Sequence, residues 1–413
     1  MHHSNIVCLS CGERHPKGTL YSCNKCGGIL DAEYNYDEIS VEKVLQKFQK
    51  GRSIWRFRDL LPVGDDVRPV SLGEGNTPLL HADKIGHTLG MSNIFLKDES
   101  RNPTGSFKDR ALSVGITCAV EKKVQKVLTA SSGNAAASAS AYSAKAGLPL
   151  YLLFDANSPP TKHIQPLVYG GKGLGVKDLF SGDSIDLIKM LMTLSEKLGA
   201  YNVFCWSLVN PYTIEGLKTC AYEICEELQW KSPDVVIVPV GGGDNLVGQW
   251  KGYKEMHRLG LVNNKPRMIG VQSSSADPLA KAWRTGSSRV NSISSATSIA
   301  SGINVPYSGD HALSAIKESN GAAVSVDDED IVRAEKDLAI HEGVWVEPSS
   351  STVIAALPKI LAEGLVDKDE TKVCILTGSG LKDMKTAKLI VQQTEIVDKE
   401  VEKIISAFEK YYP

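Results

Sequence analysis

The sequence predicts an α/β fold, a two-lobed unit of parallel-rich sheets flanked by helices and preceded by a small cysteine-rich appendage. Three observations carry this. Short β-branched or apolar runs alternate with helical stretches from about residue 70 onward, the loops after those runs are rich in glycine and serine, and two CxxC pairs fall near the N-terminus. Strands separated by helices in this way read as parallel sheets with crossover helices. Ligands of such sheets collect at the carboxyl ends of the strands.

Residues 1–35 form the appendage. Cys8, Cys11, Cys23 and Cys26 stand as CxxC-x11-CxxC, and glycines (Gly12, Gly27, Gly28) follow each pair. Two residues between thiolates let a tight knuckle aim both sulfurs at one tetrahedral ion, and the glycines allow the turn. A zinc ribbon is the expectation, with a structural zinc, because all four positions are filled by protein. Acidic and basic residues are balanced there (Glu13, Asp31, Glu33 against Arg14, Lys17, Lys25), which makes a nucleic-acid ribbon the weaker use. Cys118, Cys205, Cys220, Cys225 and Cys374 lie among apolar neighbours and read as buried small hydrophobes.

Residues 36–70 are expected to be a connector, helical over 37–62 and turning at Leu61-Pro62, with Trp55 and Phe57 as packing anchors. The main unit spans 71–395, and its expected strands are 93–96, 126–128, 149–154, 235–240, 268–271 and 373–376. Residues 284–302 are serine-rich and read as a mobile loop. The segment 396–413 places Val397, Val401, Ile404, Ile405 and Phe408 at helical spacing, which predicts an amphipathic helix docked on the body.

Lys and Arg total 46 against 48 Asp and Glu, a formal net charge of -2, so no basic surplus exists to neutralise a phosphate backbone. No apolar run reaches the roughly 18 to 20 residues of a bilayer span, and the N-terminus lacks a charged segment followed by an apolar core. A soluble, untargeted, cytoplasmic protein is expected, with a small-molecule substrate and neither nucleic acid nor membrane as partner.

Three strand-end loops carry the chemistry. In the first, 102–110, Lys108 sits where a loop enters a helix; near a positive helix terminus and partly desolvated, its amine has reason to lose a proton and become a nucleophile or base. A surface lysine is the plainer alternative. The second, Ser131-Ser132-Gly133-Asn134, opens an alanine-rich helix, and its amides and hydroxyls suit a carboxylate. The third, Gly241-Gly242-Gly243-Asp244-Asn245, follows an apolar strand, and successive glycine amides can wrap a phosphate. A reactive lysine, a phosphate cradle and a carboxylate nest together suggest pyridoxal phosphate held as a Schiff base.

The sequence resembles the threonine synthase branch of the tryptophan-synthase-β-like, fold type II pyridoxal phosphate enzymes. The stretches that carry the likeness are SLGEGNTPL (71–79), KDESRNPTGSFKDR (97–110), SSGNAAAS (131–138), NPYTIEGLKT (210–219), VPVGGGDN (238–245), VEPSS (346–350) and LTGSGLKD (376–383), in family order. The resemblance implies that Lys108 carries the cofactor and shuttles protons, and that Phe107 flanks it. It further implies that Asn134 meets the phenolic oxygen, Ser131, Ser132 and Gly133 receive the substrate carboxylate, and Thr377 meets the pyridine nitrogen. Gly241, Gly242, Gly243 and Asn245 would hold the phosphate, with Asp244 beside them; Glu347 and Asp244 could instead only order loops. Homodimers are the usual family state.

The family pattern meets the phosphate of O-phosphohomoserine with a threonine after the SSGN run, an Asn-Ser pair and an arginine. Here those positions read Ala135, Ser207 with Leu208, and Thr213, and a hydroxyl in place of a guanidinium loses a bidentate, charge-assisted contact. Residues 297–305 also resemble a segment of serine and threonine dehydratases. Three readings follow: a threonine synthase with a rearranged phosphate pocket, using Lys218, Arg110 or Ser207; a β-eliminating or β-replacing enzyme for an unphosphorylated amino acid; and a non-catalytic cofactor-binding homologue.

Overall fold

The computed structural model describes residues 3–18, 20–49, 51–182, 184–391 and 394–411. Two sheets build the body. The larger has six strands in the order Ala322–Val326, Arg267–Ser273, Val235–Pro239, Lys372–Leu376, Ile94–Asp98 and Leu79–His81, all parallel except the last, which is antiparallel to its neighbour. The smaller has four parallel strands, in the order Lys172–Val176, Leu150–Asp155, Val127–Ala130 and Tyr201–Asn202. The α/β architecture with parallel-rich sheets is as expected. Every residue of Val235–Pro239 and of Lys372–Leu376 is buried, as befits central strands covered by helices on both faces.

The expected strands are all present, within a few residues of their expected bounds. Four in the body were not legible. Leu79–His81 and Tyr201–Asn202 are too short for a periodic signal. Lys172–Val176 carries Gly173 and Gly175 on an edge, and Ala322–Val326 is built largely of alanine and serine.

The N-terminal sheet is antiparallel, Arg14–His15 beside His3–Cys8 beside Leu30–Tyr34, with Cys8 opposite Leu30 and Val7 opposite Arg14. The next segment is helical over Val41–Phe48 and Ile54–Leu60; Phe57 is fully buried and meets the Phe48 ring edge-on at 4.5 Å, while Trp55 is half-buried. Residues 285–309 form neither helix nor strand, yet Asp328 holds them through Ser298 Oγ at 2.7 Å and the Ile299 N–H at 3.0 Å.

The C-terminal helix forms over Val401–Tyr411, but it does not dock as expected: Val401 is 66% exposed and Phe408 62%. Its lysines pair within the segment, Lys403 with Asp398 and Glu400 and Lys410 with Glu395. Tyr412 and Pro413 lie outside the described residues. No helix among the described residues is long and apolar enough to cross a membrane.

Candidate active site

Helix Lys108–Glu121 starts directly after the loop that closes on the larger sheet: the Phe107 N–H donates to the Thr377 carbonyl at 2.9 Å. Lys108 is half-buried at its first position, with Nζ 3.3 Å from Cys205 Sγ and 4.7 Å from the centre of the Phe107 ring. Two residues on, fully buried Arg110 is clamped by Glu99 at 2.6 and 2.7 Å and by Glu223 at 2.8 and 2.6 Å. Helix Tyr212–Leu217 crosses so closely that a Cβ on Gly216 would stand 1.9 Å from the Arg110 carbonyl oxygen. Only glycine allows that approach. The lysine is thus mounted on a helix whose first turn is fixed by buried ion pairs.

The segment that Lys108 touches at Cys205 continues through Trp206 and Ser207 to the glycine loop after strand Val235–Pro239. Gly243 has φ +108°, and a Cβ there would meet the Ala312 Cβ at 2.7 Å. Among the described residues, the N–H groups of Gly241, Gly242 and Gly243 find no hydrogen-bond acceptor. Nor do two buried side-chain nitrogens around the loop, Trp206 Nε1 and Asn245 Nδ2. Buried donors such as those of Trp206 and Asn245 seldom lack partners, and here they gather with the loop amides at the N-terminus of helix Asp244–Arg258. The donor set fits a phosphate.

Asp244 behaves differently from its neighbours. Its carboxylate accepts from the Ser207 N–H at 2.7 Å, from Ser207 Oγ at 2.9 Å and from His311 Nε2 at 2.8 Å. These contacts are those of a loop-ordering residue: an acceptor-only group would repel a phosphate, and both its oxygens are committed to the protein. The same bonds occupy the Ser207 hydroxyl. Thr213 Oγ1 donates to the Asn210 carbonyl at 2.9 Å and is fully buried, and Ala135 offers no side-chain donor. Lys218 is buried against Glu215 at 2.6 Å and Glu255 at 2.9 Å. Arg110 and Lys218 are therefore structural ion-pair partners, not free cations for a second phosphate.

The serine loop keeps its capacity. Ser132 Oγ accepts the Asp155 N–H at 2.8 Å and Ser131 Oγ the Gly133 N–H at 3.3 Å, which leaves each hydroxyl its proton to donate to a carboxylate. Asn134 opens its helix, with Nδ2 3.0 Å from both Glu347 oxygens; two protons on that nitrogen leave room for a further acceptor. Thr377 Oγ1 lies 2.9 Å from Ser350 Oγ and 3.3 Å from Glu347. Burial pushes the Glu347 carboxyl above its ordinary range, against the opposing pull of Asn134 and nearby Lys382.

The sequence missed Cys205, Trp206 and His311. Its apolar neighbours predict a plain core residue at Cys205, but it is only partly buried and touches the Lys108 amine; desolvation raises its thiol, with Lys108 pulling the other way. Nothing local marks these positions, because their partners lie 37 to 104 residues away. Cys118, Cys220, Cys225 and Cys374 are buried as expected.

A second cluster lies in the N-terminal sheet. The sulfurs of Cys8, Cys11, Cys23 and Cys26 all fall within 4.8 Å of one another, with Cys8 and Cys26 at 3.5 Å and Cys11 and Cys23 at 3.8 Å. Zinc–sulfur bonds of about 2.3 Å in a tetrahedron set sulfurs about 3.8 Å apart, so the cluster fits that ion. His15 Nε2 stands 3.2 Å from Cys23 Sγ, a contact that favours a thiolate.

Fold and site together define a pyridoxal phosphate enzyme of fold type II. The family described as "Pyridoxal-phosphate dependent enzyme" matches residues 70–378, and the chain belongs to it. It is 41% identical over 385 residues to the threonine synthase of Methanocaldococcus jannaschii, covering 92% of this chain and 93% of that one. To the threonine synthase of Methanosarcina acetivorans it is 37% identical over 407 residues, covering 98% of each. Among solved structures it resembles a processed threonine deaminase isoform 2 from Solanum lycopersicum (TM-score 0.65, 21% identity, covering 86% of this chain and 94% of that one). It also resembles maize serine racemase (TM-score 0.64, 23% identity, covering 82% and 93%). These two likenesses concern the fold alone.

Proposed function

We propose that this chain is a threonine synthase, converting O-phosphohomoserine and water into threonine and phosphate. One observation carries the reading: the segment Cys205–Ser207 touches both a half-buried lysine amine at a helix start and a glycine loop whose amides have no partner among the described residues. Pyridoxal phosphate, when bound, supplies an aldehyde for the substrate amine and a ring that takes up the electrons released at Cα. Gly241, Gly242, Gly243 and Asn245 hold its phosphate, and Phe107, Asn134 and Thr377 fix the ring. Ser131, Ser132 and Gly133 bind the substrate carboxylate, so that the Cα proton points at one base. Lys108 takes that proton and returns protons farther along the chain. Threonine synthesis needs a further proton loss at Cβ and then water addition there, after the phosphate leaves Cγ.

The second reading is elimination or replacement at Cβ of an unphosphorylated amino acid such as serine or threonine. It draws support from Ala135, which has no side-chain donor, and from Ser207 and Thr213, whose hydroxyl protons are given to Asp244 and Asn210. The cofactor-loaded protein, offered O-phosphohomoserine, serine and threonine separately, separates the two. Threonine plus phosphate from O-phosphohomoserine supports the first; a 2-oxo acid from serine or threonine, with O-phosphohomoserine inert, replaces it by the second. We also propose a structural zinc on the four N-terminal cysteines, and a soluble cytoplasmic homodimer whose sedimentation mass is twice 44.6 kDa.

A further inference from the structure

We propose that the Trp206 indole N–H is a ligand of the cofactor phosphate, and that Asp244 is the positioning residue that holds it there. The inference rests on the reading that the glycine loop cradles pyridoxal phosphate. Trp206 is 5% exposed, and its Nε1 has no hydrogen-bond partner among the described residues. An indole N–H can only donate, and when buried it usually finds an acceptor. Its direction is informative: Nε1 lies 3.3 Å from the point a Cβ on Gly242 would occupy, against the middle of the loop whose three amides are equally unpartnered. One anion in the cradle satisfies all of these donors at once.

The indole is not free to turn away. Its ring stacks on Tyr307 at 5.0 Å and 26°, and the neighbouring Ser308 hydroxyl donates to the Gly241 carbonyl at 2.8 Å. On the other side the backbone is pinned by Asp244, which takes both the N–H and the hydroxyl of Ser207. Asp244 thus brings a carboxylate close to the cradle without offering it to the phosphate, and the same contacts press Trp206 against the loop. A charge that looks adverse in the sequence becomes the anchor of a donor.

The test compares pyridoxal phosphate with pyridoxal, which lacks the phosphate, on the full-length protein stripped of cofactor. Trp206→Phe keeps the ring and removes the N–H; it should weaken pyridoxal phosphate about tenfold or more and leave pyridoxal unchanged, since a hydrogen bond to a charged group is lost. Asp244→Ala should show the same selective loss. Equal weakening of both ligands, or of neither, would overturn the inference. If the unsubstituted protein holds pyridoxal phosphate no better than pyridoxal, the cradle reading itself fails, and the inference with it. A measurement without substitution guards against misfolding: with 15N-tryptophan labelling, one of the six indole N–H resonances should move downfield on adding inorganic phosphate, and six unmoved resonances would count against Trp206.

Discussion

The Tyr34 hydroxyl, at the end of the N-terminal sheet, donates to Glu215 on helix Tyr212–Leu217 at 2.6 Å. Around this bond Lys251 joins Asp31 and Glu215, each at 2.6 Å, and Tyr36 donates to Glu255 at 2.7 Å. The cysteine-bearing sheet is therefore wired into the buried charges of the body. Burial alone would raise the Glu215 carboxyl, but Lys218 and Lys251 overrule it and hold it at about 2. A depressed carboxyl contributes stability above its unfolded value, near 4.5, that is lost as pH falls toward 2. Tyr34→Phe should cost about 1–2 kcal/mol at neutral pH, and Glu215→Gln should flatten the acid limb between about pH 4.5 and 2; urea titrations across that range measure both.

Metal content tests the cysteine cluster. A reduced preparation never exposed to chelator should carry about one zinc per chain, and replacing Cys8 and Cys26 by serine should remove it. Absence of metal from such a preparation would leave the four sulfurs as thiols only.

Lys108→Ala should abolish the visible absorbance of the cofactor-loaded protein and lower turnover by a factor of at least about 10³. An unchanged spectrum would sink the assignment of Lys108, whatever the activity.

Arg110 is legible only in part, and this shows where sequence reading stops. The lysine two residues before it, the glycine run and the CxxC pairs were readable because their chemistry lies in local backbone: a helix start, a strand-end turn, a two-residue knuckle. The partners of Arg110, Glu99 and Glu223, lie 11 and 113 residues away, and Asn134 meets Glu347 across 213. Such pairings come from the stacking of lobes and leave no periodic trace. The exposed C-terminal helix shows the reverse error, since an apolar stripe predicts a helix but not the surface that covers it.

Arg110→Met would leave two buried carboxylates facing an apolar side chain. Breaking a buried pair from one side costs about 3–5 kcal/mol, far more than losing an exposed one. The variant should show that loss in denaturant midpoint, and should bind cofactor less tightly because the first turn bearing Lys108 is no longer fixed. A loss below about 1 kcal/mol would mean that Lys97, which also reaches Glu223 at 3.1 Å, suffices alone.

Glu335 gives the opposite sign to Glu215. It is buried on helix Asp328–Asp337 and, among the described residues, accepts only the Trp345 indole N–H at 3.0 Å and leaves its other oxygen unpartnered. Burial raises its carboxyl to about 7, with Asp383 and Glu347 adding repulsion. A raised carboxyl in the folded state means that the unfolded chain ionises first, so stability falls as pH climbs from about 4.5 to 7 and then levels. Glu335→Gln keeps the shape and removes the charge. It should leave stability nearly unchanged at pH 4.5 and raise it by about 1–3 kcal/mol at pH 8. Equal effects at both pH values would show that Glu335 is not held neutral by its surroundings.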